Sequence, residues 1–192
     1  MRRLLLASSS PYRRELLSRL HLPFDCSAPD IDETAHNNET AEHLVLRLAE
    51  AKARALTLSH PDHLIIGSDQ VAILGREILG KPHTPERAMA QLKACSGNSV
   101  TFLTSVALLD SRSGRLQVDC VPFTVHFREL DESCIERYLR IEQPYDCAGS
   151  FKAEGLGISL FRTTSGSDTT SLIGLPLIRL VDMLLEEGVQ IP

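Results

Sequence analysis

Leu64-Ile65-Ile66-Gly67-Ser68-Asp69-Gln70-Val71-Ala72-Ile73-Leu74 is an apolar run interrupted only at residues 67–70. A run that stays apolar at both odd and even positions reads as a strand covered on both faces. The flanking sequence shows what could cover it. Upstream, Leu44, Val45, Leu48, Ala49, Ala53 and Leu56 recur at helical spacing and predict an amphipathic helix over 40–58, with Glu39 and Glu42 near its positive end. Downstream, Ile78-Leu79 reads as strand, and Thr84-Pro85-Glu86 opens a second helix that Gly97 closes.

The same alternation extends to both ends of the chain. Leu4 to Ala7 is a short apolar run, Ser8-Ser9-Ser10-Pro11 a hydroxyl-rich loop, and Leu16, Leu17 and Leu20 lie at helical spacing. Residues 25–38 carry Asp30, Asp32 and Glu33 without a clear period and are expected to form a loop or short edge strand. Val100 to Leu109 and Leu116 to Phe127 flank a turn and predict a long hairpin, with Pro122 marking a bulge or an edge. Asp131 to Ile141 is expected to be helical, Gly157 to Phe161 a short strand, and Pro176 to Glu187 a terminal helix before Gly188. Parallel crossovers together with a hairpin predict an α/β fold with a mixed sheet flanked by helices.

A chain of 192 residues suits one domain over 1–192, or two small lobes. With 43% hydrophobic and 23% charged residues the composition is that of an ordinary globular protein. The net charge of -5 argues against a nucleic-acid binder, which usually needs excess Lys and Arg. Five cysteines without a CxxC pair suggest neither a disulfide framework nor a zinc cluster. The apolar start is too short for a signal peptide, and no stretch approaches membrane-spanning length, so a cytoplasmic location is expected.

Several polar residues stand out against this background. Ser8-Ser9-Ser10-Pro11-Tyr12-Arg13-Arg14 enters a helix, where free N–H groups, the helix dipole and guanidinium groups favour an anion such as a triphosphate. Solvated arginines after a Ser-Pro helix start are the plainer alternative. Asp69 interrupts an apolar strand. It is either a turn or capping residue, or a carboxylate that orders Mg²⁺ or accepts a proton from water. Lys52 falls within the apolar stripe of its helix, so its stem packs while its head snorkels to water, or its cation points into a binding site. Gly75 to Pro82 nearly matches a Walker A loop, but Pro82 stands where a Ser or Thr hydroxyl is needed. Gly80-Lys81-Pro82 is better read as a turn exposing one lysine. The scattered histidines suggest no metal site, and no Gly-x-Ser-x-Gly elbow is present.

Taken in order, Leu6 to Leu17, Asp32-Glu33-Thr34, Ala51-Lys52-Ala53, Gly67-Ser68-Asp69, Gly80-Lys81-Pro82 and Gly149-Ser150-Phe151-Lys152-Ala153-Glu154-Gly155 resemble the Maf-like nucleoside triphosphate pyrophosphatases. The motifs span nearly the whole chain. The resemblance implies an elongated, twisted mixed sheet with two lobes around a central cleft, akin to the ITPase fold. It implies hydrolysis between the α and β phosphates, a divalent cation (Mg²⁺ or Mn²⁺), a nucleotide substrate and a homodimer. Asp69 then matches the catalytic proton acceptor, Ser10 and Arg13 the phosphate contacts, Glu33 with Asp69 the metal carboxylates, and Lys52 and Lys81 the phosphate-facing lysines.

Three positions depart from the common family pattern, which has Arg at Tyr12, usually Thr at Gln70 and usually Gln at Glu154. They are similar instead to the 7-methyl-GTP pyrophosphatase branch, in which an aromatic residue, Gln and Glu at these places determine substrate choice. Tyr12, where Trp is the expected aromatic, would stack on a cationic methylated guanine, and Glu154 would accept from its N1–H and exocyclic amine. The alternatives are a dTTP or UTP pyrophosphatase of the same family, or a nucleotide-binding septation regulator with little turnover.

Overall fold

The first strand, β1 (Arg3–Leu6), buries three consecutive leucines because it is covered on both faces and paired on both edges. It runs parallel to β2 (Phe24–Cys26) and to β3 (His63–Leu74). Leu4 and Leu6 pack with Leu16 and Leu17 of α1 (Pro11–Ser18) and with Leu180, Met183 and Leu184 of α6 (Leu177–Glu186). Leu5, on the opposite face, packs with Ala49 and Ala53 of α2 (Ala41–Ala55). Thr40 caps α2 by accepting from the His43 N–H at 3.2 Å.

The computed structural model describes residues 2–191. Its sheet has the order β2-β1-β3-β5-β6-β7, with β5 (Ser99–Asp110), β6 (Leu116–Phe127) and β7 (Phe161–Gly166), while β4 (Glu77–Leu79) pairs antiparallel with the end of β3. β6 and β7 are antiparallel, so the sheet is mixed. The remaining helices are α3 (Pro85–Cys95), α4 (Glu132–Glu142) and α5 (Thr169–Ile173).

The chain divides into two compact units, each discontinuous in sequence. The first holds the chain up to Gln70, Thr104–Val121 and the segment from Asp168 onward; the second holds Val71–Leu103 and Pro122–Ser167. Within the second, Phe151 meets Phe102, Phe127 and Phe161 edge-to-face at ring separations of 5.3, 5.5 and 4.9 Å.

Two elements differ from the sequence expectation. Of the strand expected from Gly157 to Phe161, all but Phe161 lies in a 3-10 turn (Leu156–Leu160), and β7 starts only at Phe161. Gly157 lies so close to the Lys152 carbonyl that a Cβ would overlap it, and its N–H donates to that carbonyl at 3.1 Å, closing a turn where a strand would need extension. Helix α5 was not anticipated; its Thr-Thr-Ser start has no apolar period. Among the described residues no helix is long and apolar enough to cross a membrane, and all five cysteines are free.

Candidate active site

Gly67 is what allows α2 to lie directly on β3. A Cβ built there would overlap the Ala49 carbonyl oxygen and come within 3.1 Å of the Ala53 nitrogen. Lys52, on the inner stripe of α2, is therefore drawn under cover and is only 7% exposed. Its ammonium sits 2.7 Å from Asp69 Oδ1 and 2.8 Å from Glu33 Oε1. An ammonium so covered needs paired counter-charges, and two carboxylates supply them. The Lys52 head is therefore paired within a polar cluster and does not snorkel to water. Asp69 is itself 9% exposed. Ser105 locks its backbone by accepting from the Asp69 N–H at 3.2 Å while donating to the Val45 carbonyl of α2 at 2.6 Å.

Glu33 comes from the loop between β2 and α2, which a polar framework shapes. Asp32 Oδ1 accepts from the Thr34 N–H at 2.9 Å, and Arg47 Nη2 donates to the Thr34 carbonyl at 3.1 Å. Arg47 also grips both oxygens of Glu39, at 2.6 and 2.8 Å, and Glu39 accepts from the His36 N–H. The Arg47 hydrogen bonds, followed by that of His36, hold the Glu39 carboxyl down to about 2. A depressed carboxylate contributes stability above its unfolded pKa, and that contribution is lost only as pH falls through the folded value. The tie should therefore persist from pH 7 to pH 4. In a carbon-detected NMR titration, a Glu39 midpoint near the ordinary value of about 4.3 would show that the Arg47 grip is absent in solution.

The serine loop leads into α1, where Ser10 is the N-cap: its Oγ accepts from the Arg13 N–H at 3.4 Å, and its own N–H donates to Ser8 Oγ at 3.1 Å. A serine hydroxyl that accepts one bond can also donate its proton to an anion. The first turn of α1 carries no acidic residue, which leaves its positive end without a local counter-charge. Arg13 is oriented by a hydrogen bond from Nε to the Gly174 carbonyl at 2.8 Å. Burial lowers the pKa of this guanidinium, while the charges of Asp69 and Glu33 oppose that shift. Tyr12, on the same turn, is half-buried.

Thus Glu33, Lys52 and Asp69 are in direct contact, Arg13 lies within their field, and Ser10 is tied to the Arg13 backbone. Gln70 is placed differently. Side chains alternate along a strand, so Gln70 faces the side opposite Asp69, where its amide donates to Thr104 Oγ1 and to the Ser171 and Leu172 carbonyls.

Lys81 and Glu154 belong to the second unit and both are exposed. The Gly80 carbonyl before Lys81 accepts from Gln91 at 3.0 Å. Glu154 stands on a turn whose Lys152 carbonyl accepts from the Gly155 and Gly157 N–H groups. The Lys152 N–H donates to the Tyr138 hydroxyl, and Glu142 accepts from the Leu156 N–H at 2.8 Å.

Sequence reasoning missed the supporting residues Ser105, Arg47, Glu142 and Gly174, and read Glu39 only as a helix-end charge. Only Ser105 left a signal, as a polar residue within the apolar run from Val100 to Leu109. The others act through main-chain atoms or partners that only folding brings near.

Comparison with known proteins places the chain among its relatives. A 7-methyl-GTP pyrophosphatase of Pseudomonas fluorescens (strain Pf0-1) is 74% identical over 98% of both chains. One of Pseudomonas aeruginosa is 70% identical over the same shares. Among solved structures, a HAM1 protein from Coxiella burnetii shares the fold with a TM-score of 0.55 at 17% identity, covering 97% of this chain and 100% of that one. The Staphylococcus aureus Ham1 protein does so with a TM-score of 0.50 at 15% identity, covering 97% and 99%. Residues 3–187 match the family described as Maf-like protein, and the chain belongs to that family.

Proposed function

We propose that this protein hydrolyses 7-methyl-GTP to 7-methyl-GMP and pyrophosphate. The observation that carries the reading is the Glu33–Lys52–Asp69 cluster beside Arg13: two carboxylates and two cations gathered beside the middle of β3. The names of relatives at 70 to 74% identity over nearly the whole chain support the substrate.

A triphosphate carries concentrated negative charge, so its binding needs cations and donors fixed in advance. Arg13, Lys52 and the Ser10 hydroxyl fill that role, and we assign Lys81 to it as well. Among the described residues no group of three or more His, Cys, Asp or Glu side chains gathers to form an all-protein metal cage. Two carboxylates within 2.8 Å of one cationic nitrogen nevertheless fit a hard divalent cation such as Mg²⁺ or Mn²⁺, which commonly takes one or two carboxylates plus phosphate oxygens. Glu33 and Asp69 would hold it, and when bound it would offset charge on the phosphates. Asp69 accepts the proton of the attacking water. The water oxygen bonds to the α phosphorus, the bond to the α–β bridging oxygen breaks, and pyrophosphate leaves. Free cysteines and a nucleotide substrate agree with a cytoplasmic location.

For the base, we assign Tyr12 to stacking on the cationic methylated ring and Glu154 to its N1–H and amine. Pyrophosphate release should be fastest with 7-methyl-GTP in a panel containing GTP, dTTP and UTP. Preference for dTTP or UTP would overturn the substrate and leave the hydrolytic cluster standing. Glu154→Gln removes the charge that complements the methylated base. It should lower the ratio of kcat/KM for 7-methyl-GTP over GTP by about tenfold, the scale of one charged hydrogen bond. An unchanged ratio would remove Glu154 from base recognition.

A further inference from the structure

We propose that Glu142 is a positioning residue for base selection: it clasps the 152–157 turn onto the end of α4 and so fixes where Glu154 stands. This rests on the reading above of Glu154 as the acceptor for the methylated base. A carboxylate in the last turn of a helix faces the negative end of the dipole, where it costs stability. Glu142, the last residue of α4, takes that place with a side chain only 18% exposed. Its contacts show what holds it there. Oε2 accepts from the Leu156 N–H at 2.8 Å. The Lys152 ammonium lies 3.9 Å from Oε1 and donates to the Glu142 main-chain carbonyl at 3.0 Å. That carbonyl is among the last of α4, which Gln143 ends by turning left-handed at φ 47, so no further helical turn can satisfy it. The helix thus reaches the turn through a carboxylate, and the turn reaches the helix through an ammonium.

Glu154 lies in the chain between these two attachments, at residues 152 and 156. The main chain around it is committed as well. The Lys152 N–H donates to the Tyr138 hydroxyl at 3.1 Å, and the Lys152 carbonyl accepts from the Gly155 and Gly157 N–H groups at 3.2 and 3.1 Å. Burial pushes the Tyr138 phenol up, and the charges of Glu142 and Glu154 add to that shift, so both carboxylates act on the one hydroxyl that anchors the turn. Gly155 is what lets Glu142 come in. A Cβ there would lie 2.9 Å from each carboxylate oxygen, and the carboxylate, as the tip of a flexible side chain, would be the part to yield.

A residue that sets the place of Glu154 alters the choice between bases, whereas one that only supports the fold weakens every nucleotide alike. Glu142→Met keeps the length and removes the acceptor. It should lower the ratio of kcat/KM for 7-methyl-GTP over GTP by about fivefold, through KM, with kcat for both nucleotides within about twofold of wild type. Glu142→Gln keeps an oxygen able to accept from the Leu156 N–H and should hold the ratio within about twofold. Gly155→Ala displaces the carboxylate by contact and should reproduce the Glu142→Met ratio, so it decides the matter if Glu142→Met does not fold. In a Glu154→Gln background Glu142→Met should change the ratio by less than about twofold, since the charge it places is already gone. An unchanged ratio, an equal loss for both nucleotides, or full additivity with Glu154→Gln would overturn the proposal. If Glu154→Gln itself leaves the ratio unchanged, the base reading fails and this inference with it. If Glu154→Gln lowers the ratio while Glu142→Met and Gly155→Ala do not, the role of Glu142 alone is lost.

Discussion

Asp69→Asn is expected to lower kcat on 7-methyl-GTP by roughly 10²–10⁴ and to leave the protein folded, the loss typical when a positioned general base is removed. The side chain keeps its size, and the backbone bonds that hold it in place, from the Asp69 N–H to Ser105 and from Ser105 to Val45, do not involve the carboxylate. What disappears is an oxygen able to take a proton and one of the two charges facing Lys52. The ammonium keeps Glu33 at 2.8 Å, so it is not left without a counter-ion. The full cost of about 3–5 kcal/mol for orphaning a buried charge therefore does not apply, and the melting temperature should fall by only a few degrees. The measurement is kcat from pyrophosphate release beside a thermal melt. Wild-type turnover in a folded Asp69→Asn variant would take proton transfer away from this residue. Collapse of the fold would mean that the carboxylate serves the core.

The legibility of this site in the sequence follows the range over which each residue acts. The strand through residues 64–74 and the helix carrying Lys52 were readable because apolar periodicity records burial directly, and Lys52 and Asp69 were visible as polar interruptions of it. Glu33 gave no local signal, since its loop is built by Arg47, Glu39 and Asp32 through contacts that have no helical or strand period. Gln70 could be seen to depart from the common family pattern, but its direction could not be read before the strand was placed. Alternation along β3 then turns it from the Asp69 face to that of α5, a helix too short and polar to announce itself. The expected strand from Gly157 to Phe161 misled because Ile158 and Leu160 at alternate positions imitate a strand, while the Gly157 approach to the Lys152 carbonyl folds the segment into a turn.

Gly67→Ala should be the most damaging single-methyl change in the first unit. The added Cβ would overlap the Ala49 carbonyl oxygen and crowd the Ala53 nitrogen, both backbone atoms of α2, so no side-chain rotation relieves it. Helix α2 would have to retreat by about 1 Å, opening the contact that buries Leu5, Ala49, Ala53 and Ile65. Overpacking against backbone costs on the order of 3 kcal/mol, equivalent to a fall of about 10 °C in melting temperature for a chain of this size. The same retreat carries Lys52 away from Asp69 and loosens the Ser105 bond to Val45, so kcat should fall by about 10² even in the fraction that stays folded. Gly80→Ala is the matched control: its Cβ enters open space, and its melting temperature should stay within about 2 °C of wild type. Equal melting temperatures for Gly67→Ala and Gly80→Ala, with normal turnover in the former, would mean that α2 does not lie on β3 as described, and the Lys52–Asp69 pairing would lose its structural cause.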